Sequence, residues 1–168
     1  MKIAILGLGE AGSHFANDLA EMGITVSGAD PNLKRELHPK ISFSTDNVTA
    51  VKNADIVFSV NYTSESKGIA KEVLPSLKID ALYCEMNTSS PATKLEIETI
   101  LKPANIHFVD LAIMAPVPPK GIKVPLLASG GGANLLVKKM TPYNLDLTVL
   151  SKKNRRCSRS KIIAFNSL

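Results

Sequence analysis

The chain contains no tryptophan, has two cysteines, and has an aromatic content of 5%. Cys84 and Cys157 are far apart and lack CxxC spacing, which excludes a disulfide framework and a cysteine-based zinc site. Cys84 lies in an apolar segment and reads as a small core residue. No apolar run reaches the ~18 residues that a membrane helix needs, so no membrane partner is expected. The opening MKIAILGLGEAG has the lysine and short apolar stretch of a signal peptide. Its glycines, however, fall at motif spacing and no long apolar region follows, so a cytoplasmic location is expected. His14, His38 and His107 show neither metal-ligand spacing nor pairing with a nucleophile. They read as surface or packing residues, and no metal is expected.

What is present is an ordinary globular composition. The 168 residues are 45% hydrophobic and 21% charged, enough for one domain with a buried core. The net charge of +5 is unevenly spread. Residues 152–168 hold six Lys/Arg and no acid, and the remainder is close to neutral. The run Lys152-Lys153-Asn154-Arg155-Arg156 would ordinarily point to nucleic acid. That partner is not expected here, for a reason given below.

Strand and helix patterns alternate along the chain. Lys2–Leu6 reads as a strand, and residues 11–22 as a helix with Ala11, Phe15, Leu19 and Met22 on one face. Strands are expected at 24–29 and 41–45, then a short helix over 46–53 opened by Asp46 as N-cap. Residues 54–60 suit the buried middle of a parallel sheet. A helix over 65–74, with Thr63 or Ser64 as its cap, precedes a strand at 81–85. Ser90 and Pro91 then open a helix to about Leu101. Strands at 106–114, 124–129 and 145–150 and a helix at 133–140 complete the pattern. Such alternation predicts a doubly wound, mainly parallel Rossmann-type α/β domain over residues 1–150, followed by a short basic tail, 151–168.

The turn Gly7-Leu8-Gly9-Glu10-Ala11-Gly12 is a GxGxxG sequence in the context that gives it meaning, after the first strand and opening the first helix. Gly7 permits the tight turn, Gly9 lets a pyrophosphate approach the backbone, and Gly12 lets helix and strand pack closely. The free N–H groups and dipole of the helix start favour the anion. Asp30 ends the second strand, where a carboxylate accepts from the ribose hydroxyls and repels a 2′-phosphate. That favours NAD, although Lys34 and Arg35 nearby leave NADP open. The alternative for Asp30-Pro31-Asn32 is a plain turn and helix cap. Two polar loops follow the fourth and fifth strands: Asn61-Tyr62-Thr63-Ser64 and Asn87-Thr88-Ser89-Ser90. Strand C-termini of open α/β sheets bind ligands, so these loops are expected at the nicotinamide end.

Four segments together carry a family resemblance: IAILGLGEAGSHFANDLAEMG, ADIVFSVNY, EMNTSSPAT and FVDLAIMAPVPPKGIKVPLLASGG. Over about residues 1–150 the chain resembles the N-terminal domain of the β-hydroxyacid dehydrogenases, among them 3-hydroxyisobutyrate and 6-phosphogluconate dehydrogenase. The resemblance implies an NAD(P)-dependent oxidoreductase exchanging hydride with a small hydroxy acid. It places Asn87 and Thr88 beside the nicotinamide and makes Asp110 to Gly121 the substrate loop, with Lys120-Gly121 matching a subgroup pattern. Better-known members carry Ser-Gly-Gly in that loop for the substrate carboxylate; Met114-Ala115-Pro116 stands there in this chain.

The resemblance also implies a helical second domain whose lysine acts as acid/base on the reacting hydroxyl. No segment of 152–168 has the pattern of its first helix, and Lys161 has the wrong neighbours. A one-base shift of frame at the Lys152-Lys153-Asn154 codons can turn the tail into Gly-Asp-Ala-Ala-Ala followed by an apolar helix, as the family has next. The tail is therefore read as out of frame, which is why nucleic-acid binding is discounted. On this reading the catalytic lysine is missing, the chain is inactive or weakly active alone, and exposed apolar surface favours self-association as a homo-oligomer. A second reading is a non-catalytic dinucleotide-binding or sensing module. Pyrroline-carboxylate reductases start similarly, but FVDLAIMAPVPPKG argues against them.

Overall fold

The computed structural model describes residues 1–150. Its first strand, β1 (Lys2–Leu6), lies near the middle of the sheet with Ile3 to Leu6 wholly buried. Side chains alternate between the two faces, as strand geometry requires. Ile3 and Ile5 enter one core, Ala4 and Leu6 the other. The basic tail, with Cys157, Lys161 and the expected change of frame, lies outside the described residues.

The chain continues through α1 (Glu10–Glu21), β2 (Thr25–Ala29), β3 (Ser42–Ser44), α2 (Asn47–Val51) and β4 (Ile56–Ser59). It then forms α3 (Ser66–Val73), β5 (Leu82–Glu85), α4 (Pro91–Leu101), β6 (His107–Ile113), β7 (Leu126–Ser129), α5 (Ala133–Met140) and β8 (Leu147–Val149). The strands stand in the order β3-β2-β1-β4-β5-β6-β7-β8. Every pairing is parallel except β6 with β7. This is a Rossmann-type doubly wound sheet: the chain winds outward to β3, then returns to the other side of β1. The crevice between β1 and β4 is the switch point at which open sheets of this kind take ligands.

Two cores flank the sheet. On one face α1 presents Phe15, Ala16 and Leu19, while α5 adds Leu136 and Met140. Burying Phe15 and Leu19 contributes roughly 1.5–3 kcal/mol each. On the other face α2, α3 and α4 close over a core rich in alanine: Ala4, Ala29, Ala50, Ala54, Ala70 and Ala81. Small side chains let these short helices approach the strands closely. Cys84 is a buried core residue, as its setting in the sequence predicts.

Helix starts agree with the sequence at two places and differ at a third. Asp46 caps α2 through the N–H groups of Val48 and Thr49, and Ser90 caps α4 through that of Thr93. The expected cap of α3 is corrected. Glu65 occupies the cap position without a side-chain bond, and Ser66 Oγ instead donates back to the Thr63 carbonyl. Nor does Asp30-Pro31-Asn32 open a helix: no helix occurs between β2 and β3.

The register aligns the strand ends. Ala29, Leu6, Ser59, Glu85 and Asp110 form one row across five neighbouring strands. The turns and loops that leave this row carry the candidate site.

Candidate functional site

The glycine turn divides into two glycines fixed by packing and one that faces open space. Gly7 has φ +93°, and a Cβ there would stand 2.1 Å from the Val60 carbonyl oxygen. Its N–H donates to the Ala29 carbonyl at 2.8 Å, which binds the turn to β2. A Cβ on Gly12 would stand 1.9 Å from the Gly7 oxygen. Around Gly9 nothing lies within 4 Å of the same position. Leu8 contributes its backbone to the turn, since its side chain is buried over Gly28.

Helix α1 starts beneath that open space. Gly9 caps it without a side chain, and the first N–H to find an intrahelical acceptor is that of Ser13, on the Gly9 carbonyl. The N–H groups of Glu10, Ala11 and Gly12 thus belong to the unpaired first turn of a helix. An open approach over unpaired amides at the positive end of a helix dipole fits a diphosphate. Glu10 is exposed, so its carboxylate can turn to solvent.

Asp30 stands beside this turn. Its Oδ2 accepts from the Leu8 N–H and its Oδ1 from the Asn32 N–H, both at 2.8 Å. The carboxylate therefore braces the turn, and still has lone pairs for ribose hydroxyls.

The two polar loops meet and bond to each other. Asn61 N–H donates to Asn87 Oδ1 at 2.7 Å, and Asn87 Nδ2 returns a bond to Asn61 Oδ1 at 3.0 Å. Thr63 Oγ1 donates to the Thr88 carbonyl at 3.2 Å. Asn87 is buried, whereas Tyr62, Thr63 and Thr88 are exposed. The amides of Asn61 and Asn87 thus latch the loops together, and the exposed neighbours offer the free surface.

A layer beneath the loops is absent from the sequence reading. Glu85 is fully buried at the end of β5 and accepts from Asn87 and Ser89. Burial pushes its carboxyl above the usual range, against the opposing pull of the Lys94 charge and of these hydrogen bonds. Lys94, in the first turns of α4, is paired with Asp110, midway along β6. The Tyr83 hydroxyl is buried beside Ser59 with no partner in hydrogen-bond geometry, and burial pushes its pKa up. One signal was available: Glu85 is an acid closing an otherwise apolar strand.

The residues expected at the substrate end lie on the chain after β5 and after β6. Met114 is partly exposed and lies four residues beyond the strand-end row on the chain that leaves β6. Gly121 packs on α1, where a Cβ would stand 1.9 Å from Asp18 Oδ2, and Ile122 N–H donates to the same oxygen at 2.7 Å. Asp18 is eight residues into the helix from Glu10, about 12 Å from its start. The turn that follows Lys120 is thus anchored on α1 through Asp18. Lys120 itself is exposed.

Other features stay outside this cluster. A surface groove of about 530 Å³ is lined by Asp80, Leu95, Lys102 and His107. His107 starts β6, so the groove lies at the opposite end of the sheet from the glycine turn. Among the described residues there is no cluster of metal-ligating side chains, and no helix is long and apolar enough to cross a membrane.

The family model for the NAD binding domain of 6-phosphogluconate dehydrogenase matches residues 2–118. No curated protein matches the chain. Among solved structures, a conserved hypothetical protein from Sinorhizobium meliloti 1021 superposes with a TM-score of 0.78 at 24% identity. That match covers 89% of this chain and 53% of the other. The 3-hydroxyisobutyrate dehydrogenase of Mycobacterium tuberculosis with L-serine gives 0.72 at 19% identity, over 88% and 53%. An imine reductase variant from Myxococcus stipitatus in complex with NAD+ gives 0.74 at 25% identity, over 88% and 54%. The chain spans about half the length of each of these structures.

Proposed function

The chain belongs to the family of NAD binding domains of 6-phosphogluconate dehydrogenase, and on that premise we propose that it holds a nicotinamide dinucleotide for hydride exchange with a small hydroxy acid. The observation that carries this reading is the uncapped start of α1 under the open space at Gly9, beside a carboxylate that braces the same turn. The amides of Glu10, Ala11 and Gly12 bind the pyrophosphate, with Gly7, Leu8 and Gly9 shaping its approach. Asp30 accepts from the adenosine ribose. Asn61, Tyr62, Thr63 and Asn87 form the nicotinamide end, and Thr88 and Met114 border the substrate. When bound, the nicotinamide supplies the hydride acceptor or donor; the chain supplies position and charge.

Asp30 sets the preference for NAD over NADP, because its charge opposes a 2′-phosphate. Asp30→Asn tests this: the new carbonyl can still accept from Leu8 N–H, the bond from Asn32 N–H is lost, and the charge is gone. Calorimetry is expected to show NAD binding more tightly than NADP to the wild type. In the variant that preference narrows about tenfold, or ~1.4 kcal/mol. Absence of heat with both coenzymes on folded protein would overturn the reading. The same reading places the protein in the cytoplasm and allows self-association, which sedimentation tests.

A second reading, a binding or sensing module without chemistry, is favoured by one observation. Lys94, on α4, is held by Asp110 of the aligned row. Within residues 1–150 it is not free to act as acid or base on a substrate hydroxyl. Turnover by this chain at ordinary enzyme rates in a screen of small hydroxy acids would exclude the second reading.

A further inference from the structure

Glu85 is the one fully buried carboxylate among the described residues, and it lies directly below the latch between the two loops. Its Oε1 accepts from the Asn87 N–H at 3.2 Å and from Ser89 Oγ at 3.3 Å. Its Oε2 accepts from Asn87 Nδ2, also at 3.2 Å. All three are donors aimed at one carboxylate, an arrangement only an acceptor-rich group satisfies. The other Asn87 amide hydrogen goes to Asn61 Oδ1, and Asn87 Oδ1 receives the Asn61 N–H. Asn61 Nδ2 in turn donates to Ser59 Oγ, one row-position over on β4.

The chain of bonds is directional. Asn61 N–H is a backbone donor and fixes which end of the Asn87 amide is oxygen. Turning that amide over would set N–H against N–H at Asn61 and oxygen against oxygen at Glu85. The carboxylate and the Asn61 N–H thus select the same orientation of Asn87 from its two sides, and Asn87 sets the spacing of the loops after β4 and β5. The cation of Lys94, on the flanking helix, offsets the buried charge, and Asp110 on the next strand pairs with that cation.

We propose that Glu85 is a positioning residue for the nicotinamide end of the site: it fixes Asn87, which locks the loop 87–90 to the loop 61–64 before any dinucleotide arrives. The inference rests on the functional reading above and deepens it. Glu85 is covered by Asn87 and does not reach the surface, so it acts through the loops and not on a ligand. Loops ordered in advance spare the ligand the cost of ordering them.

Glu85→Gln keeps the shape and replaces an acceptor by a donor that faces other donors. Affinity is measured for NADH and for ADP-ribose, which has the same pyrophosphate and adenosine but no nicotinamide. The chain has no tryptophan, so emission from bound NADH is read without indole overlap. In the variant, ADP-ribose affinity is expected to stay within about twofold of wild type, while NADH affinity falls about tenfold. The gain in NADH emission on binding shrinks with it. Equal losses for both ligands, or no loss for either, would overturn the proposal. A wild type that binds neither ligand would instead refute the functional reading beneath it. Should the variant not fold, nuclear magnetic resonance of the wild type decides. The two Asn87 side-chain amide protons are expected to be separate and slow to exchange with solvent. Averaged, rapidly exchanging protons would refute the lock.

Discussion

At the scale of single residues, three glycines of one motif have different reasons to be glycine. Gly7 meets the Val60 carbonyl, just beyond β4 and far along the chain, and Gly12 meets the Gly7 carbonyl. Gly9 meets nothing in the protein. Gly7→Ala combines a positive φ with a backbone clash and is expected to cost roughly 3 kcal/mol or more. Gly9→Ala is expected to cost only about 1 kcal/mol, because alanine is a poorer helix cap than glycine but meets no clash here. It should nevertheless weaken NAD binding about tenfold, since the methyl occupies the approach to the amides. Urea titration and calorimetry on the pair check both. If Gly9→Ala binds NAD like wild type, the open space is not the pyrophosphate site. The motif was legible in the sequence, but its division of labour was not. The atom that forbids a side chain at Gly7 is contributed by tertiary contact.

At the scale of elements, helix starts show what local chemistry can and cannot announce. Asp46 and Ser90 cap their helices with short oxygens that reach the next turn, a signal contained in a few residues. The start of α3 gave the same signal at Thr63 and Ser64 and did not use it. There Thr63 is engaged with the neighbouring loop through Thr88. The segment after β6 shows the opposite limit. Resemblance grouped Lys120 and Gly121 with the substrate end, but the fold ties the Gly121–Lys123 turn to α1 through Asp18. Asp18→Ala strips the buried Ile122 N–H of its acceptor and is expected to cost about 1–3 kcal/mol. NAD affinity should barely change, because Asp18 lies well away from the start of the helix. A thermal shift with and without NAD checks this. A large loss of affinity at preserved stability would return the turn to the site.

At the scale of the whole molecule, two carboxylates pull stability in opposite directions with pH. Asp55, at the entry to β4, accepts from Lys78 Nζ at 2.5 Å and from the Lys2 N–H at 2.8 Å, which holds its carboxyl below the usual range. A depressed folded-state pKa gives stability that is present above the ordinary carboxylate value and lost as pH falls through the depressed one. Glu85 is the reverse. Burial raises its carboxyl, so the stability tied to its proton is complete below the ordinary value, roughly pH 4, and declines as pH rises toward the raised one. Lys94, Asp110 and Tyr83 are the charged or titratable groups that face it. Denaturant midpoints across pH are expected to lose the acid-side rise in Asp55→Asn and the later decline in Glu85→Gln. An unchanged profile in either variant would contradict the corresponding assignment. The alternation of strand and helix, the switch from outward to returning strands, and the glycine turn all follow from the order of residues, because period, caps and turn chemistry act over a few positions. The latch of Asn61 with Asn87, the buried Glu85 below it, and the clamp of Asp18 on Ile122 were decided only when distant strands came into register. Each joins groups from different elements, and no local pattern encodes which side chain will stand opposite which.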